Sequence, residues 1–348
     1  MKRREFLSLG ALAGAGIIAG EAKAAKKPKV SASGQVKFCV FADIHYKPER
    51  PGAWGFPNSS KEWLERILER AKREKCDFVI HCGDMCHNPP AVKDYVDFYN
   101  DYDIPTYHVI GNHETDGCSY EDVLKTFRLE KGHYFFDRGG FRFIVIDTNY
   151  FYRKSIKGYV HFGKGVKEDG DQWGRIPDEQ YEWIEKTIAS SPYPCITFSH
   201  LSFERGVGNK RMQEIFARAN AAVPGKVRMA INGHCHCDYL RVLDDVLYFD
   251  VNSASYQWIG SSRAHTLYPA EYFKRNGLGD KVRKVPWISY NAPLSAIVTL
   301  RGDGTVEIDG STADFDHGIT PKKVKMELDY NSRLTTARIQ SAKMKMFY

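Results

Sequence analysis

Long repetitive or apolar stretches are missing from this 348-residue chain. The absence of repeats and low-complexity segments excludes collagen-like, solenoid and broadly disordered proteins. The most apolar run, Leu7 to Gly20, is too short for a comfortable membrane span, and we expect no stable span in the mature chain. Because 43% of the residues are hydrophobic and 13% are aromatic, we predict a globular protein with a substantial core.

Excess charge is also missing from most of the chain, although its formal net charge is +7. Residues 1–24 contribute +2 and residues 321–348 contribute +5, so the body between them is formally neutral. A neutral body lacks the basic footprint of a nucleic-acid-binding protein, and we predict no nucleic-acid partner. We interpret residues 316–348 as a basic C-terminal tail, either solvated or touching an anionic surface or polymer.

The cysteine count is even, which permits disulfides in an oxidising compartment but does not require them. The eight Cys residues all follow residue 24, and a chain of this length does not need disulfides to fold, so we assign no pair. The pairs Cys82/Cys86 and Cys235/Cys237 each flank a candidate site residue, which leaves a Cys/His zinc site conceivable. Two-residue Cys spacing alone is weak evidence, and we interpret these thiols as packing residues.

Residues 1–24 resemble a bacterial twin-arginine export signal. A charged start with Arg3 and Arg4 precedes the apolar run, and Ala22-Lys23-Ala24 supplies small residues at the usual cleavage spacing. The resemblance implies cleavage after Ala24, export in the folded state by the twin-arginine translocase, and a periplasmic or otherwise extracytoplasmic location. An uncleaved N-terminal anchor is the alternative.

The remaining chain alternates apolar, strand-like runs with amphipathic helices, and several runs stop at a polar loop. Strands are predicted at 37–42, 77–81, 106–110, 196–198 and 227–231, with a hairpin turning at 138–140. Because ligands of α/β sheets bind at the carboxyl ends of strands, we expect these polar loops to meet at one edge. Residues 151–176 have no clear period and are interpreted as a long loop or insertion.

Five short segments at these loops carry carboxylate, amide or imidazole groups. Each segment alone is weak evidence, since a single His at a strand end usually only satisfies hydrogen bonds. The evidence is the ordered set, which is Asp43-x-His45, Gly83-Asp84, Gly111-Asn112-His113-Glu114, His200 and Gly233-His234-x-His236.

This set resembles the calcineurin-like metallophosphoesterase superfamily from about residue 36 to residue 255. The family pattern is D-x-H, G-D, G-N-H-[DE], a single His and G-H-x-H, and all five blocks are present in order. The resemblance implies an α/β fold, a four-layer α/β/β/α sandwich with two mixed β-sheets, which we expect over residues 25–315.

The resemblance also implies a role for each motif residue. Fe, Mn or Zn suits a donor set of imidazoles and carboxylates. His113 is expected to be the catalytic residue that donates a proton to the phosphate or leaving-group oxygen. The implied ligands are Asp43, His45 and His236 for one metal and Asn112, His200 and His234 for the other, with Asp84 and a water or hydroxide bridging both.

The sequence departs from the family three residues after Asp84, where His87 replaces Asp, Asn or Tyr. The missing Tyr, together with His45, argues against the purple acid phosphatase branch. His87 is either a second proton donor or a loop residue, and we place it with Tyr46 as a candidate substrate-binding residue. Other candidates for the substrate side, each also explained by packing, are His81, Asp147, Asn149, Tyr256 and Trp258.

The predicted function is hydrolysis of a small phosphodiester or phosphomonoester by attack of a metal-bridging hydroxide. The motifs are most similar to the branch of cyclic-nucleotide and glycerophosphodiester phosphodiesterases. The alternatives are a phosphomonoesterase or phosphoprotein phosphatase of the same fold, a non-catalytic metal-bearing binding module, and a surface-binding protein whose β-rich end grips glycan or membrane.

Overall fold

The computed structural model describes residues 34–47, 61–163, 168–205, 209–276, 278–329 and 332–346. The predicted export signal lies outside these residues. The helices are α1 Lys61–Arg73, α2 Lys93–Asn100, α3 Tyr120–Thr126, α4 Asp178–Ser190, α5 Asn209–Ala222 and α6 Ala270–Arg275. None of the described helices is long and apolar enough to span a bilayer.

Apart from four short 3-10 helices, strands account for the other regular elements of the described chain. In chain order they are β1 Gln35–Phe41, β2 Phe78–His81, β3 Thr106–His108, β4 Tyr134–Arg138, β5 Phe141–Ile146, β6 Tyr150–Arg153, β7 Gly158–His161, β8 Gln172–Arg175, β9 Cys195–Ser199, β10 Val227–Asn232, β11 Tyr239–Leu243, β12 Val246–Asp250, β13 Tyr256–Trp258, β14 Trp287–Ser289, β15 Ala296–Arg301, β16 Thr305–Gly310 and β17 Ala342–Lys345.

Two six-stranded sheets organise the fold. The first has the order β17-β16-β15-β1-β2-β3 and the second has the order β11-β12-β10-β9-β5-β4. β1, β2 and β3 run parallel, as do β5, β9, β10 and β12, whereas the outer strands β4, β11 and β15 to β17 pair antiparallel. Both sheets are therefore mixed, as predicted, and the carboxyl ends of their central strands carry the polar loops.

Aromatic packing joins the two sheets. Phe38 of β1 stacks on Phe78 of β2 at a ring-centroid distance of 4.9 Å. It also makes edge contacts, at 5.7 Å each, with Phe143 of β5 and Phe198 of β9 in the other sheet. Large buried rings remove much apolar surface from water and prefer such stacked or edge-to-face geometry. This contact fixes how the two sheets, and hence their loop edges, face each other.

Helices cover the outer faces of the sheets, which completes the predicted α/β/β/α sandwich. The α1 residues Trp63, Leu64 and Ile67 recur at helical spacing and are buried, and α1 and α2 lie against β2 and β3. On the second sheet, α4 and α5 pack against the alternate side chains of β5 and β10. Because both sheet faces are covered, β5 and β10 are buried along their whole length.

Of the two interpretations of residues 151–176, a long loop or an insertion, the loop was wrong for much of this segment. Here β6 pairs antiparallel with both β7 and β8 and forms a small separate sheet. Local aromatic contacts stabilise it, such as the stacked rings of Phe151 and Phe162 at 5.0 Å. The segment lacks a clear period because its strands have only four residues each, too few to display one.

The segment predicted to be a basic tail is integrated into the fold over its described residues. β17 is the edge strand of the first sheet, and Ile339 is part of the main core. The buried Arg333 guanidinium pairs with Asp250 and lies 2.9 Å from Glu204. Lys343 and Lys345 remain exposed, so only part of the basic charge is solvated as the sequence suggested.

We predict that Arg333→Ala destabilises the protein by about 3–5 kcal/mol, because it leaves the buried Asp250 carboxylate without its cation. Glu204 keeps its ion pairs with Arg205 and Arg241. Arg338→Ala, in the same segment, removes a half-exposed contact with Asp238 and should cost less than about 1 kcal/mol. Urea denaturation of both variants in the metal-free form measures the difference. Equal destabilisation by the two substitutions would contradict an anchoring role for Arg333.

Candidate metal centre

The loops that follow β1, β2, β3, β9 and β10 meet at one edge of the sandwich. They carry all the motif residues, and Asp43, Asp84 and His200 are almost completely buried there. Backbone hydrogen bonds join the loops, with Asp43 N–H donating to Gly83 O at 3.1 Å and His45 N–H to Asp84 O at 2.9 Å. Residues separated by almost two hundred positions therefore form one pocket, as expected from parallel strands.

Five of the predicted ligands adopt the left-handed backbone conformation. Their φ angles are 53° for Asp43, 55° for His45, 51° for Asp84, 65° for His234 and 47° for His236. This region is unfavourable for residues with a Cβ and persists where the surroundings enforce it, often at functional sites. The left-handed backbone at these positions directs the five side chains away from the preceding strands and towards the common pocket.

Asp43, His45 and His236 form the first candidate ligand group. The Nε2 atoms of His45 and His236 are 3.2 Å apart, and His236 Nε2 lies 3.5 Å from Asp43 Oδ1. Candidate ligand atoms of all three residues lie within 4.8 Å of one another. Such close donors need a proton or a cation between them, and a transition-metal ion fits this set.

Asp84, Asn112, His200 and His234 form the second candidate group. His200 Nε2 is 3.3 Å from Asp84 Oδ2, 3.0 Å from Asn112 Oδ1 and 3.1 Å from His234 Nδ1. Asp84 also approaches the first group, since its Oδ2 is 3.8 Å from His45 Nε2. The Asp84 carboxylate thus lies between the two groups.

Backbone carbonyls orient two of the imidazoles. His200 Nδ1 is 2.9 Å from Cys82 O, and His236 Nδ1 is 3.0 Å from Tyr256 O. Because a carbonyl only accepts, Nδ1–H is the donor in both, and Nε2 of each ring faces the cluster. This arrangement fixes the tautomer that a metal ligand requires.

Two motif glycines are needed because the ligands crowd their α-carbons. A Cβ on Gly83 would lie 2.3 Å from His200 Nδ1, and one on Gly111 would lie 2.2 Å from Asp84 Oδ1. Such distances are far inside van der Waals contact. The Gly-Asp and Gly-Asn-His motifs therefore carry glycine to allow close packing of the ligand loops.

Glu114, the last residue of the Gly-Asn-His-Glu segment, holds the backbone of two ligand loops. Its buried carboxylate accepts N–H groups of Gly111 at 2.7 Å, Met85 at 2.6 Å and Asp84 at 3.1 Å. Burial, followed by the nearby Asp84 charge, raises the pKa of Glu114 to about 8. Glu114 belongs to the family pattern, but the sequence alone indicated no role for it.

Asp116 is a site residue that the sequence analysis missed. Its Oδ2 accepts from His113 Nδ1–H at 2.8 Å and from His87 Nδ1–H at 2.7 Å. The unprotonated His87 Nε2 then accepts from His45 Nδ1–H at 3.1 Å, which turns His45 Nε2 towards the pocket. The sequence offered one signal for this role. Asp116 follows His113 by three residues, a spacing that matches the turn that brings the His113 and Asp116 side chains together.

The charges around His113 favour its protonated form. Burial lowers the pKa of this imidazole, but the Asp84 charge and the bond to Asp116 outweigh it and raise the pKa to about 9. The backbone N–H of His113 donates to Asp84 Oδ1 at 2.8 Å, which also fixes the position of the His113 backbone. His113 lines the pocket with a partly exposed side chain.

The two predicted substrate-binding residues occupy other environments. His87 is buried between Asp116 and His45, so its imidazole orients these two side chains and does not face the pocket. Tyr46 stacks on Tyr95 at a centroid distance of 3.8 Å. His81, Asp147 and Asn149 are completely buried. None of these residues is among those that line the described pocket.

The pocket itself has a volume of about 410 Å³. Besides the candidate ligands, its walls include Tyr256 and Trp258 of β13. From the sequence, each of these residues was a candidate either for the core or for the substrate side of the site. Tyr256 is buried and is both a core residue and part of the pocket wall. Trp258 is 36% exposed at the mouth of the pocket. The complete lining is His45, Asp84, His113, His234, Cys235, His236, Tyr256, Gln257, Trp258 and Asp329.

The described cysteines are all free thiols, and most are buried. Cys235, Cys237 and Asp250 could form a further small ligand group, since their ligand atoms lie within 4.8 Å of one another. The Arg333 guanidinium occupies this place, with Nη1 3.0 Å from Cys237 Sγ and paired with Asp250. A resident cation there disfavours a metal ion.

Comparisons with known proteins agree with the fold and the motif set. Residues 36–238 match the model of the calcineurin-like phosphoesterase family. A dimetal phosphatase from Danio rerio is similar at 12% identity and a TM-score of 0.54, over 90% of this chain and 99% of that one. A purple acid phosphatase from yellow lupin shares 15% identity at a TM-score of 0.45, over 93% and 55%. No curated protein matches the chain.

We predict that Gly83→Ala weakens metal binding about 10- to 100-fold, since the added methyl group displaces the His200 ring. Gly170→Ala is the matched control, because Gly83 and Gly170 have φ angles of +89° and +85° but only Gly170 has open space around the Cβ position. Titration of both purified variants with Mn²⁺ or Zn²⁺ measures the effect. Similar losses in both would mean that backbone strain, and not ligand displacement, controls binding.

We also predict that metal affinity rises with pH. Burial lowers the pKa of His200, but Asp84 outweighs this effect and raises the pKa to about 10. An imidazole must be neutral to bind a metal, so binding below about pH 10 displaces this proton, and affinity falls as pH is lowered. Calorimetric titration in buffers of different ionisation enthalpy measures the proton release. The His133→Ala variant, altered outside the site, should behave as wild type, and binding without proton release would contradict the assignment.

Proposed function

The chain belongs to the calcineurin-like phosphoesterase family, and from this premise we propose that it is an exported dinuclear-metal phosphoesterase acting on small phosphodiesters or phosphomonoesters. The family is one of metal-dependent phosphoester hydrolases. Export rests on residues 1–24 alone, with cleavage after Ala24 and passage through the twin-arginine translocase to the periplasm or another extracytoplasmic site.

The observation that carries this proposal is the position of Asp84 between two ligand groups. We assign Asp43, His45 and His236 to one ion and Asn112, His200 and His234 to the other, with Asp84 shared. The distances from Asp84 Oδ2 of 3.8 Å to His45 Nε2 and 3.3 Å to His200 Nε2 support the sharing. Imidazole and carboxylate donors suit Fe, Mn or Zn.

Bound as a pair, such ions would polarise the phosphoryl oxygens and lower the pKa of water near the phosphorus atom. The protein contributes the rigid geometry. Left-handed backbone, close glycine packing and the Glu114 carboxylate hold the ligand loops together before substrate arrives. Because the neutral Asn112 amide is one of the donors, it adds no negative charge near an anionic substrate.

His113 is the residue that we assign to proton transfer. Asp116 accepts from its Nδ1–H and favours the protonated imidazole, which a general acid requires. Asp116 accepts from Nδ1–H, so we assign donation to Nε2–H, directed to the phosphate or leaving-group oxygen. His87, which accepts from His45 and donates to Asp116, is assigned to positioning rather than to a second proton donation.

We predict that His113→Ala retains both metal ions and loses about 10²–10⁴-fold in kcat, the usual contribution of a general acid. Asp84→Asn should instead abolish dinuclear loading, because it removes the shared carboxylate. Metal content by mass spectrometry and hydrolysis of bis-para-nitrophenyl phosphate after reconstitution with Mn, Fe or Zn measure both effects. His133→Ala again serves as the control.

Each alternative has a distinct outcome in this experiment. Faster hydrolysis of the para-nitrophenyl monoester than of the diester would favour a phosphomonoesterase or phosphoprotein phosphatase. Full metal loading without turnover of any phosphoester would identify a binding module and refute the enzymatic proposal. Metal loss in His113→Ala with loading retained in Asp84→Asn would reverse the role assignments.

A further inference from the structure

The formally neutral body of the chain has a strongly uneven charge distribution. Residues 260–287 contain six Lys and Arg residues against two acidic ones, a net charge of +4. Residues 319–328 contain three Lys residues against one Glu, a net charge of +2. The two segments share one hydrophobic cluster that includes Tyr268, Phe273 and Met326, so their charges lie in one part of the molecule.

Exposed apolar side chains are concentrated in the same part. Of the eight large hydrophobic residues exposed among the described ones, five lie here or immediately beside it, and they are Trp258, Leu267, Val282, Leu328 and Leu334. We call these five residues, together with Lys322, Lys323 and Lys325, the rim. Monomeric proteins rarely gather exposed apolar groups without a binding partner.

Several contacts connect the rim with the mouth of the catalytic pocket. Trp258 lines the pocket together with Asp329, and Asp329 follows Leu328 directly. Leu328 and Leu334 face each other in an isolated antiparallel bridge. Arg263 Nε donates to Lys325 O at 3.2 Å, which joins the two basic segments.

The basic groups of the rim differ from several lysines on the helices of the first sheet. On the helices of the first sheet, Lys72 is paired with Asp103 and Lys93 with Asp97. Among the described residues, by contrast, no ion pair involves Lys322, Lys323 or Lys325, and all three are exposed. Exposed lysines without ion pairs, beside exposed Leu and Trp side chains, suit a surface that is anionic outside and apolar beneath.

We propose that the rim docks on an anionic lipid bilayer, with the Lys side chains at the head groups and the apolar side chains inserted between them. The catalytic pocket then opens at the level of the head groups. A nucleic acid or another acidic polymer would engage the lysines but would gain nothing from exposed leucines. The mixture of both residue types therefore favours a lipid surface.

The test is co-sedimentation of the metal-loaded full chain with vesicles of phosphatidylcholine alone or of equal parts phosphatidylcholine and phosphatidylglycerol. We expect binding to the anionic vesicles only, weakened by high salt because exposed charges are screened. The variants are Lys322→Gln/Lys323→Gln/Lys325→Gln and Leu267→Gln/Leu334→Gln. Each should reduce binding about tenfold or more. All of these proteins keep the same N-terminal residues, so any contribution of the run Leu7–Gly20 is equal among them.

Ile156→Gln is the matched control, because Ile156 is 61% exposed and Leu334 is 64% exposed, but Ile156 lies on the small sheet outside the rim. It should bind vesicles as wild type does. Equal binding to neutral and anionic vesicles, or unchanged binding of the leucine variant, would overturn the proposal. Hydrolysis of soluble bis-para-nitrophenyl phosphate by the wild type tests the proposed phosphoesterase activity separately. If the wild type does not hydrolyse this substrate, the phosphoesterase proposal fails, whereas membrane docking of the rim is still tested by the vesicle experiment.

Discussion

The Asp84 carboxylate is the group around which the site is arranged. It is buried, accepts the His113 N–H, and lies within 4 Å of imidazole nitrogens from both ligand groups. A buried carboxylate is costly unless positive charge accompanies it. In the absence of an ion, protons on His113 and His200 supply that charge, which explains why the pKa of both imidazoles is raised. Bound metal ions would replace the proton on His200, so metal binding and protonation compete for the same carboxylate.

A second carboxylate, that of Asp116, connects the proposed acid with the proposed ligands. It accepts from His113 and from His87, and His87 in turn accepts from His45. The orientation of one candidate ligand and of the candidate acid therefore depends on the same group. His87 replaces the Asp, Asn or Tyr found at this position in many relatives, and Asp116 supplies the carboxylate instead. In this chain the carboxylate that accepts from both His113 and His87 therefore comes from Asp116.

Beyond the pocket, the fold places its charges unevenly. The segment after residue 316 is held in the domain by Arg333 and by β17, although its composition suggested a separate tail. Three of its lysines precede Asp329, which lines the pocket, and they share this part of the fold with exposed apolar side chains. Net charge summed over the chain conceals such local separation, because opposite charges elsewhere cancel it. The route by which a substrate reaches the pocket depends on this local surface and not on the total charge.

The sequence by itself indicated an α/β chain whose polar loops meet at one edge, because parallel strands bring their carboxyl ends to one edge wherever the chain goes between them. The two mixed sheets and the set of ligand residues followed from the resemblance of the ordered motifs to the calcineurin-like phosphoesterase family. Only the tertiary structure decided the partners of those residues. His87 meets Asp116 across 29 positions and Arg333 meets Glu204 across 129, and no local pattern specifies such contacts. The short strands β6 to β8 and the placement of the C-terminal segment likewise depend on neighbours that are distant in sequence.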